Sequence, residues 1–315
     1  MSTDTGTGTD ADSSPASGSG GIDLGSIRAI ATKDFQDAIR SWMFWGLSVF
    51  FFLLLVVVTG AIAYFGEGIA AEGQTTEALV GLVYQITRLV IPLIALILGW
   101  KAIAGERETG SIKILLSLPH SRKDVLLGKL IGRAAVLSVS LIVGFVLAAV
   151  IVAAMLGGFD VVDYVGLLAM SIFYGVAYTS IAVSLSSLTK STTVAGAAMF
   201  GVFVLFYIVW DSIQFAIYLM MDYDWISGVA VNGFERPPDW AFFLNMLDPG
   251  NAYQNGLSLV TSVAELDQEA LAVQEEFFGG GVPFYLQDWF SVVVLLFWIV
   301  VPLAVALWRF DRVDL

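Results

Sequence analysis

Very few side chains in this sequence could take part in chemistry within an apolar environment. The chain has no cysteine and a single histidine, His120, next to Pro119. Without a thiolate or a second imidazole, cysteine-based metal sites and two-histidine zinc sites are excluded. The sequence also contains no P-loop, no GxSxG sequence and no paired carboxylates within its apolar stretches. It therefore predicts no metal centre and no catalytic residue, and we interpret His120 as a solvated turn residue.

Arg88 is the one basic residue in the interior of an apolar stretch, with Gln85 close before it. A charge at the centre of a bilayer costs about 2.5–3.5 kcal/mol on insertion scales, so charged groups there usually serve a function. We expect Arg88 and Gln85 to line a substrate path. The alternative is that the Arg88 side chain reaches outward toward Glu77 or pairs with Asp211.

The densest polar sequence is KAIAGERETGSIKILLSLPHSRKDVLLGKL, residues 101–130. Ser111 can cap a short helix that ends at Pro119, because proline supplies no amide donor. The apolar residues on one side of that helix are Ile112, Leu115 and Leu116. Ser121 and Asp124 then form an S-x-x-D capping box, which predicts the start of the next long helix.

Six apolar stretches surround these polar groups, and each has the roughly 20 residues that a helix needs to cross a bilayer. They are residues 43–65, 79–103, 130–156, 164–188, 194–221 and 289–308. Hydrophobic residues make up 57% of the chain, above the roughly 45–50% of soluble domains. The sequence thus predicts an all-α polytopic membrane protein with six transmembrane helices.

The basic residues predict the orientation of these helices. Of the 15 Lys and Arg residues, all but Arg88 and Arg236 lie before the first span, around the second connection, in the fourth connection or after the sixth span. Loops rich in Lys and Arg stay in the cytoplasm. We therefore expect a multi-pass protein of the plasma membrane, with both termini cytoplasmic and residues 222–288 outside.

The N-terminal region divides into two parts. Residues 1–22 are mostly Ser, Thr, Gly and Asp, a composition typical of a disordered tail, and residues 23–315 form the membrane domain. From Ile27 onward, apolar residues recur at helical spacing: Ile27, Ala31, Phe35, Ala38 and Trp42. We expect an amphipathic helix in the membrane interface with its apolar face in lipid. The alternative is an ordinary cytosolic helix.

Acidic residues dominate the predicted outer loops. The formal charge is −13, and more than half of the 28 acidic residues lie in those loops. Together with the low lysine content, this composition favours a halophilic organism, which we expect to be an archaeon. Acidic loops that bind cations or simply stay solvated are the alternatives. Within residues 222–288, positions 263–278 alternate apolar and acidic residues at helical spacing, which predicts a surface helix.

The sequence of residues 105–130 resembles the signature of ABC-2 type transporter permeases. The matching positions are Glu106, Arg107, Glu108, Thr109 and Gly110, then Leu118, Pro119 and Ser121, then Arg122, Lys123, Asp124, Gly128 and Lys129. LDPGNAY, residues 247–253, is similar to a pattern that precedes the last span in that family. The resemblance covers residues 23–315, although residues 222–288 are longer than in compact members.

The resemblance implies a permease subunit that dimerises, most simply as a homodimer, and binds a cytoplasmic ABC ATPase. ATP and Mg would be bound by that ATPase, so the permease itself needs no cofactor and is not an enzyme. The residues implied in coupling are Glu106, Arg107, Glu108, Thr109, Gly110, Ile112, Leu115, Leu116 and Pro119. Spans one, two and five would face the second permease. Nothing in the sequence indicates nucleic-acid binding.

Three functions compete at this point. The first is transport, most simply export, of a substrate. The second is a mechanical complex that assists maturation or assembly of an extracytoplasmic partner through residues 222–288; members that resemble the nitrous-oxide-reductase maturation permease would belong here. The third, an intramembrane hydrolase, requires polar catalytic groups that the spans lack.

Overall fold

The computed structural model describes residues 22–65, 75–111, 121–231, 233–262 and 268–310. It is mostly helical. The helices are α1 (Leu24–Ile39), α2 (Trp42–Phe65), α3 (Thr75–Gly99), α4 (Ala104–Glu108), α5 (Arg122–Leu156), α6 (Val161–Leu188), α7 (Thr192–Val204), α8 (Trp210–Asp222), α9 (Asp239–Met246), α10 (Pro249–Gly256), α11 (Gln268–Phe277) and α12 (Asp288–Phe310). The two strands, β1 (Val229–Val231) and β2 (Phe234–Arg236), pair antiparallel.

Six helical segments of the described chain are long and apolar enough to cross a membrane, as the sequence predicts. They correspond to α2, α3 continuing into α4, α5, α6, α7 continuing into α8, and α12. The α6 segment is the most buried of them and packs against α3, α5 and α12. It forms the centre of the bundle, and the other helices surround it.

The start of α5 confirms the predicted capping box. The Ser121 hydroxyl accepts a hydrogen bond from the Asp124 amide at 3.1 Å, and the Asp124 carboxylate accepts one from the Ser121 amide at 2.9 Å. A second Asp124 oxygen accepts the Asp23 amide at 2.9 Å, which ties the beginning of α1 to the beginning of α5. The capping box therefore fixes two helix starts.

The segment predicted to be an amphipathic helix forms α1, and the buried residues of its predicted apolar face pack on protein. Ile27, Ile30 and Ala31 are buried, and α1 lies along α5. A Cβ added at Gly128 of α5 would lie 2.7 Å from the Ile30 Cβ, and one at Gly132 would lie 2.9 Å from the Asp34 Cβ. The two glycines let the helices approach closely. The prediction that this face lies in lipid is therefore wrong.

The fifth span contains an irregularity that the sequence did not predict. Between α7 and α8, residues Leu205–Val209 form a π-helical turn. Such turns insert an extra residue into a helix and are frequent at functional sites. Here the turn carries Phe206 and Tyr207 toward the interior of the bundle.

Residues 222–288 do not form a wholly peripheral unit. α10 packs against α12, α6 and α3, and its Ala252 and Tyr253 are fully buried. The predicted helix 263–278 is observed as α11, Gln268–Phe277, while residues 263–267 lie outside the described residues. After α11, Gly279 and Gly280 adopt positive φ angles of 77° and 119°, which end the helix.

Arg236 connects several elements within residues 222–288. It is buried, and its guanidinium donates to the Asp239 carboxylate at 2.7 Å. Its guanidinium carbon lies 4.9 to 5.9 Å from the ring centroids of three phenylalanines. These are Phe242, Phe277 and Phe278. One arginine thus joins the hairpin, α9 and the end of α11.

Candidate functional site

The first polar site lies where α10 enters the bundle. Asp248 is the N-cap of α10 and accepts the Asn251 amide at 2.9 Å, and Pro249 occupies the first turn. This local order follows from the sequence, because Asp is a favoured N-cap and Pro is favoured at the first helical position. Gly250 permits the close approach of α3, since a Cβ there would lie 2.8 Å from the Arg88 Nε.

Arg88 links α3 to this helix start. Its Nη2 donates to the Asn251 side-chain oxygen at 2.9 Å and lies 3.4 Å from the Asp248 carboxylate. Among the described side chains, Asp211 forms no ion pair with Arg88, and the side chain of Glu77 lies outside the described residues. Burial raises the pKa of Asp248 to about 6, while the Asn251 amide and Arg88 oppose that rise.

Tyrosine rings and hydroxyls extend this polar region between α3, α6 and α10. The rings of Tyr174 and Tyr253 stack with centroids 4.6 Å apart. The Tyr253 hydroxyl shares hydrogen bonds with the Thr87 and Ser171 hydroxyls at 3.0 and 2.8 Å, and the Tyr174 hydroxyl donates to the Arg88 carbonyl at 3.0 Å. Each hydroxyl thus finds a partner, as buried polar groups require.

A cavity of about 220 Å³ opens beside Arg88, and we call it the Arg88 cavity. Gln85 and Arg88 both line it, so the structure brings the two predicted path residues together. The remaining lining residues come from α3, α6, the π-helical turn, α8 and α10: Leu89, Tyr174, Tyr178, Phe206, Tyr207, Asp211, Asp248 and Gly250. The lining therefore combines polar and aromatic side chains.

The second polar site surrounds α4, and Lys129 is at its centre. The Lys129 Nζ lies 2.7 Å from the Glu106 carboxylate and 3.5 Å from the Asp34 carboxylate. Asp34 also accepts a hydrogen bond from the Arg133 Nη2 at 3.2 Å, and its other carboxylate oxygen lies 3.0 Å from the Arg133 Nε. Since Lys129 is only 6% exposed, it joins α1, α4 and α5 through interactions that water screens weakly.

The other two charged residues of α4 bind the connection between α6 and α7. The Arg107 guanidinium donates to the Thr189 carbonyl at 3.1 Å, and the Glu108 carboxylate accepts the Thr192 amide at 2.8 Å. Further back, the Ser186 hydroxyl accepts the amides of Ile103 and Ala104. α4 is therefore fixed to both ends of that connection.

The remaining predicted coupling residues follow α4. The Thr109 hydroxyl donates to the Gly105 carbonyl at 3.0 Å, and Gly110 turns the chain with a φ of 75°. Four predicted residues, together with the histidine, lie outside the described residues: Ile112, Leu115, Leu116, Pro119 and His120. Of the predicted coupling residues, the three charged ones, Glu106, Arg107 and Glu108, therefore lie together on α4.

Sequence reasoning did not identify several residues of these two sites. Asp34 had no signal beyond its charge, and Lys129 had only its place in the family resemblance, because their partners are distant in the sequence. Asp248 and Asn251 had one, since both belong to the LDPGNAY sequence. Within the described residues, no group of three or more His, Cys, Asp or Glu side chains could hold a metal ion.

Comparisons with known proteins agree with this architecture. Residues 28–315 match the family model described as ABC-2 family transporter protein. A probable ABC transporter permease protein NosY from Pseudomonas aeruginosa is 30% identical over 199 residues, which cover 61% of this chain and 70% of that protein. The protein of the same name from Stutzerimonas stutzeri is 29% identical over 201 residues, covering 61% and 71%. Because the family model spans nearly the whole chain, the chain belongs to the ABC-2 family of transporter permeases.

Proposed function

We propose that this permease exports a substrate across the plasma membrane, powered by a separate cytoplasmic ABC ATPase that docks on α4 and the residues after it. ATP and Mg bind to that ATPase, and the permease supplies no catalytic residue. A second copy of the permease completes the membrane unit. The termini and α4 face the cytoplasm, in accordance with the distribution of Lys and Arg.

The attachment of α4 is the observation that carries the proposal. Its three charged residues each contact a different part of the bundle: Glu106 contacts Lys129 of α5, Arg107 contacts the α6–α7 connection, and Glu108 contacts the start of α7. A helix of only five residues has little stability of its own. These contacts therefore hold α4 as a fixed part of the bundle.

Such an attachment suits the transmission of force. A push on α4 would displace α5 through Lys129 and α7 through Thr192 together, because the ends of both helices are held by the same short element. Packed helices move as rigid bodies between discrete arrangements. Closure of two ATPase subunits would thereby tilt the spans that surround the Arg88 cavity.

The exposure of the fifth span supports a second permease copy. In its most apolar stretch of 18 residues only 17% are buried, whereas the corresponding share of the fourth span is 67%. Gly201 on α7 has no atom within 4 Å of the position that a Cβ would occupy. Membrane helices associate through small residues of this kind. A homodimer that buries this face is the arrangement we favour.

A mechanical role on an extracytoplasmic partner is the second candidate function. The observation in its favour is the architecture of residues 222–288. α10 is buried among the spans, and the same segment continues into the hairpin, α9 and α11 around Arg236. A movement of the bundle would therefore be passed to a folded unit at its surface. An intramembrane hydrolase has no support among the described residues.

The substitution Leu115→Asp tests the proposed docking. We expect the purified permease to keep its thermal stability while its binding to the co-purifying ATPase is lost, since a buried apolar residue of an interface carries about 2 kcal/mol or more. The matched control is Leu259→Asp, a similar change in the 3₁₀ turn after α10, which should leave ATPase binding intact.

Two results would contradict the proposal. If Leu115→Asp lowers the stability of the isolated permease, the leucine packs within the permease itself. If stability and ATPase binding both stay unchanged, the segment is not the docking site. Transport and mechanical roles are then separated in proteoliposomes, because only the mechanical role permits ATP-dependent coupling without a transported molecule.

A further inference from the structure

The charged groups of the Arg88 cavity do not cancel. Arg88 lies 3.4 Å from the Asp248 carboxylate. Because the two charges are opposite, this ion pair contributes no net charge to the cavity. Asp211 of α8 also lines the cavity and forms no ion pair with a described residue. The cavity therefore carries one uncompensated carboxylate, which favours a ligand with one positive charge.

The aromatic wall of the cavity favours the same kind of ligand. Tyr174, Tyr178, Phe206 and Tyr207 all contribute to it. The face of an aromatic ring attracts a cation, by up to about 2 kcal/mol when the cation is desolvated. Groups of such rings recognise ammonium ligands, and a nearby carboxylate adds the compensating charge.

The Tyr207 hydroxyl is a further polar group that a ligand could contact. The Tyr207 hydroxyl is buried and has no hydrogen-bond partner among the described residues. Tyr207 belongs to the π-helical turn, which places its side chain on the cavity wall. Buried polar atoms without a partner are rare, and an absent ligand is one of their explanations. Asp211 and Tyr207 both line this cavity.

We propose that the Arg88 cavity binds a small organic ammonium compound, with its positive charge between Asp211 and the aromatic rings. The proposal rests on the proposed function, because it names the chemical class of the transported substrate. The cavity volume of about 220 Å³ equals about seven water molecules at roughly 30 Å³ each. An ethanolamine-sized or tetramethylammonium-sized group fits within that volume.

Binding to the purified permease tests this proposal without the ATPase. In an uncharged detergent and at constant ionic strength, calorimetry should detect saturable binding of tetramethylammonium and of ethanolammonium. Asp211→Asn should weaken both by about tenfold or more, the factor that corresponds to 1.4 kcal/mol. The control is Asp222→Asn, which removes the same charge at the other end of α8 and should leave both affinities unchanged.

Tyr207→Phe separates the hydroxyl from the ring. It should weaken ethanolammonium, which can donate an N–H to the hydroxyl, and should not weaken tetramethylammonium, which has no N–H. A short-chain phosphocholine lipid that binds with the same dependence on Asp211 would identify a lipid headgroup as the source of the ammonium group, whereas binding of the free compounds alone would identify a soluble one.

The proposal is overturned if neither cation binds, if acetate binds in their place, or if Asp211→Asn has no effect. These outcomes are distinct from a failure of the proposed function. ATPase activity that depends on the permease is measured on the complex without added ligand, so coupling can persist when ammonium binding is absent.

Discussion

The first polar site, around Arg88, and the second, around Lys129, stabilise a charged side chain in different ways. We call them the Arg88 site and the Lys129 site. At membrane depth, Arg88 has one carboxylate partner, Asp248, and the amide Asn251, both from a single helix start. At the end of the bundle, Lys129 has two carboxylates, from two different elements. The two sites differ in where the partners come from: Asp248 and Asn251 belong to one helix start, whereas Glu106 and Asp34 belong to two separate helices. The first site therefore stabilises one contact, and the second connects three helices.

The largest expected effect is at the Arg88 site. Asp248→Ala removes both the ion pair and the N-cap of α10, and the loss of one partner of a buried pair costs about 3–5 kcal/mol. We expect a large fall in the melting temperature of the permease in detergent, measured by tryptophan fluorescence. The comparison fails if this variant is as stable as the unmodified protein.

Two further variants sharpen that measurement. Asp248→Asn keeps an N-capping oxygen and should cost less than Asp248→Ala, which isolates the contribution of the cap, about 1 kcal/mol. Combining Arg88→Met with Asp248→Asn should recover part of the lost stability, because neither buried charge is then left alone.

A smaller loss is expected where α1 crosses α5. Gly128→Leu would drive a side chain into Ile30 and the Ile27 carbonyl, 2.7 and 3.1 Å from the new Cβ, and overpacking of this kind costs about 1–3 kcal/mol. Hydrogen exchange of the α1 amides should rise. Gly81→Leu, at a position with no neighbour within 4 Å, is the control and should leave exchange in α1 unchanged.

The next prediction concerns the contacts of Lys129 with α1 and α4. Lys129→Met removes the contacts with Glu106 and Asp34, while Arg133 continues to hold Asp34. We expect a stability loss of about 1.5 kcal/mol, the lower range for hydrogen bonds to charged groups. The permease-dependent ATPase rate should fall more steeply than stability does, because α4 loses its link to α5. An unchanged ATPase rate would argue against Lys129 as a connecting residue.

The smallest effect is expected at Glu108. Glu108→Gln keeps an oxygen that can accept the Thr192 amide, the bond that the carboxylate makes at 2.8 Å. Stability and the ATPase rate should both stay within error of the unmodified protein. A marked loss of the ATPase rate in this variant alone would mean that the charge of Glu108, and not its hydrogen bond, contributes to coupling.

Local sequence patterns predicted those features of the structure that depend on residues close together in the chain. The six spans follow from the length of the apolar stretches, and the start of α5 follows from Ser121 and Asp124. The same holds for the end of α11, where Gly279 and Gly280 take backbone angles that other residues avoid. Each of these features depends on contacts within a few residues.

The pairing of distant residues could not be read in this way. Arg88 is separated by 160 positions from Asp248, and Lys129 is far from Asp34 in the chain. The apolar face of α1 suggested lipid, because hydrophobic periodicity identifies a buried face without identifying what covers it. Only the close crossing at Gly128 and Gly132 shows that α5 covers it.

By itself, the sequence determined the class of the protein, the number of its spans and the polar segment after the second span, since these depend on composition and local order. Tertiary structure alone decided which carboxylate Arg88 meets and that α10 is buried among the spans. It also decided that a cavity beside them contains a carboxylate, Asp211, with no ion-pair partner among the described residues. The physical reason is that helix packing, and not chain proximity, determines which charged groups are left with a partner in an interior where water is absent.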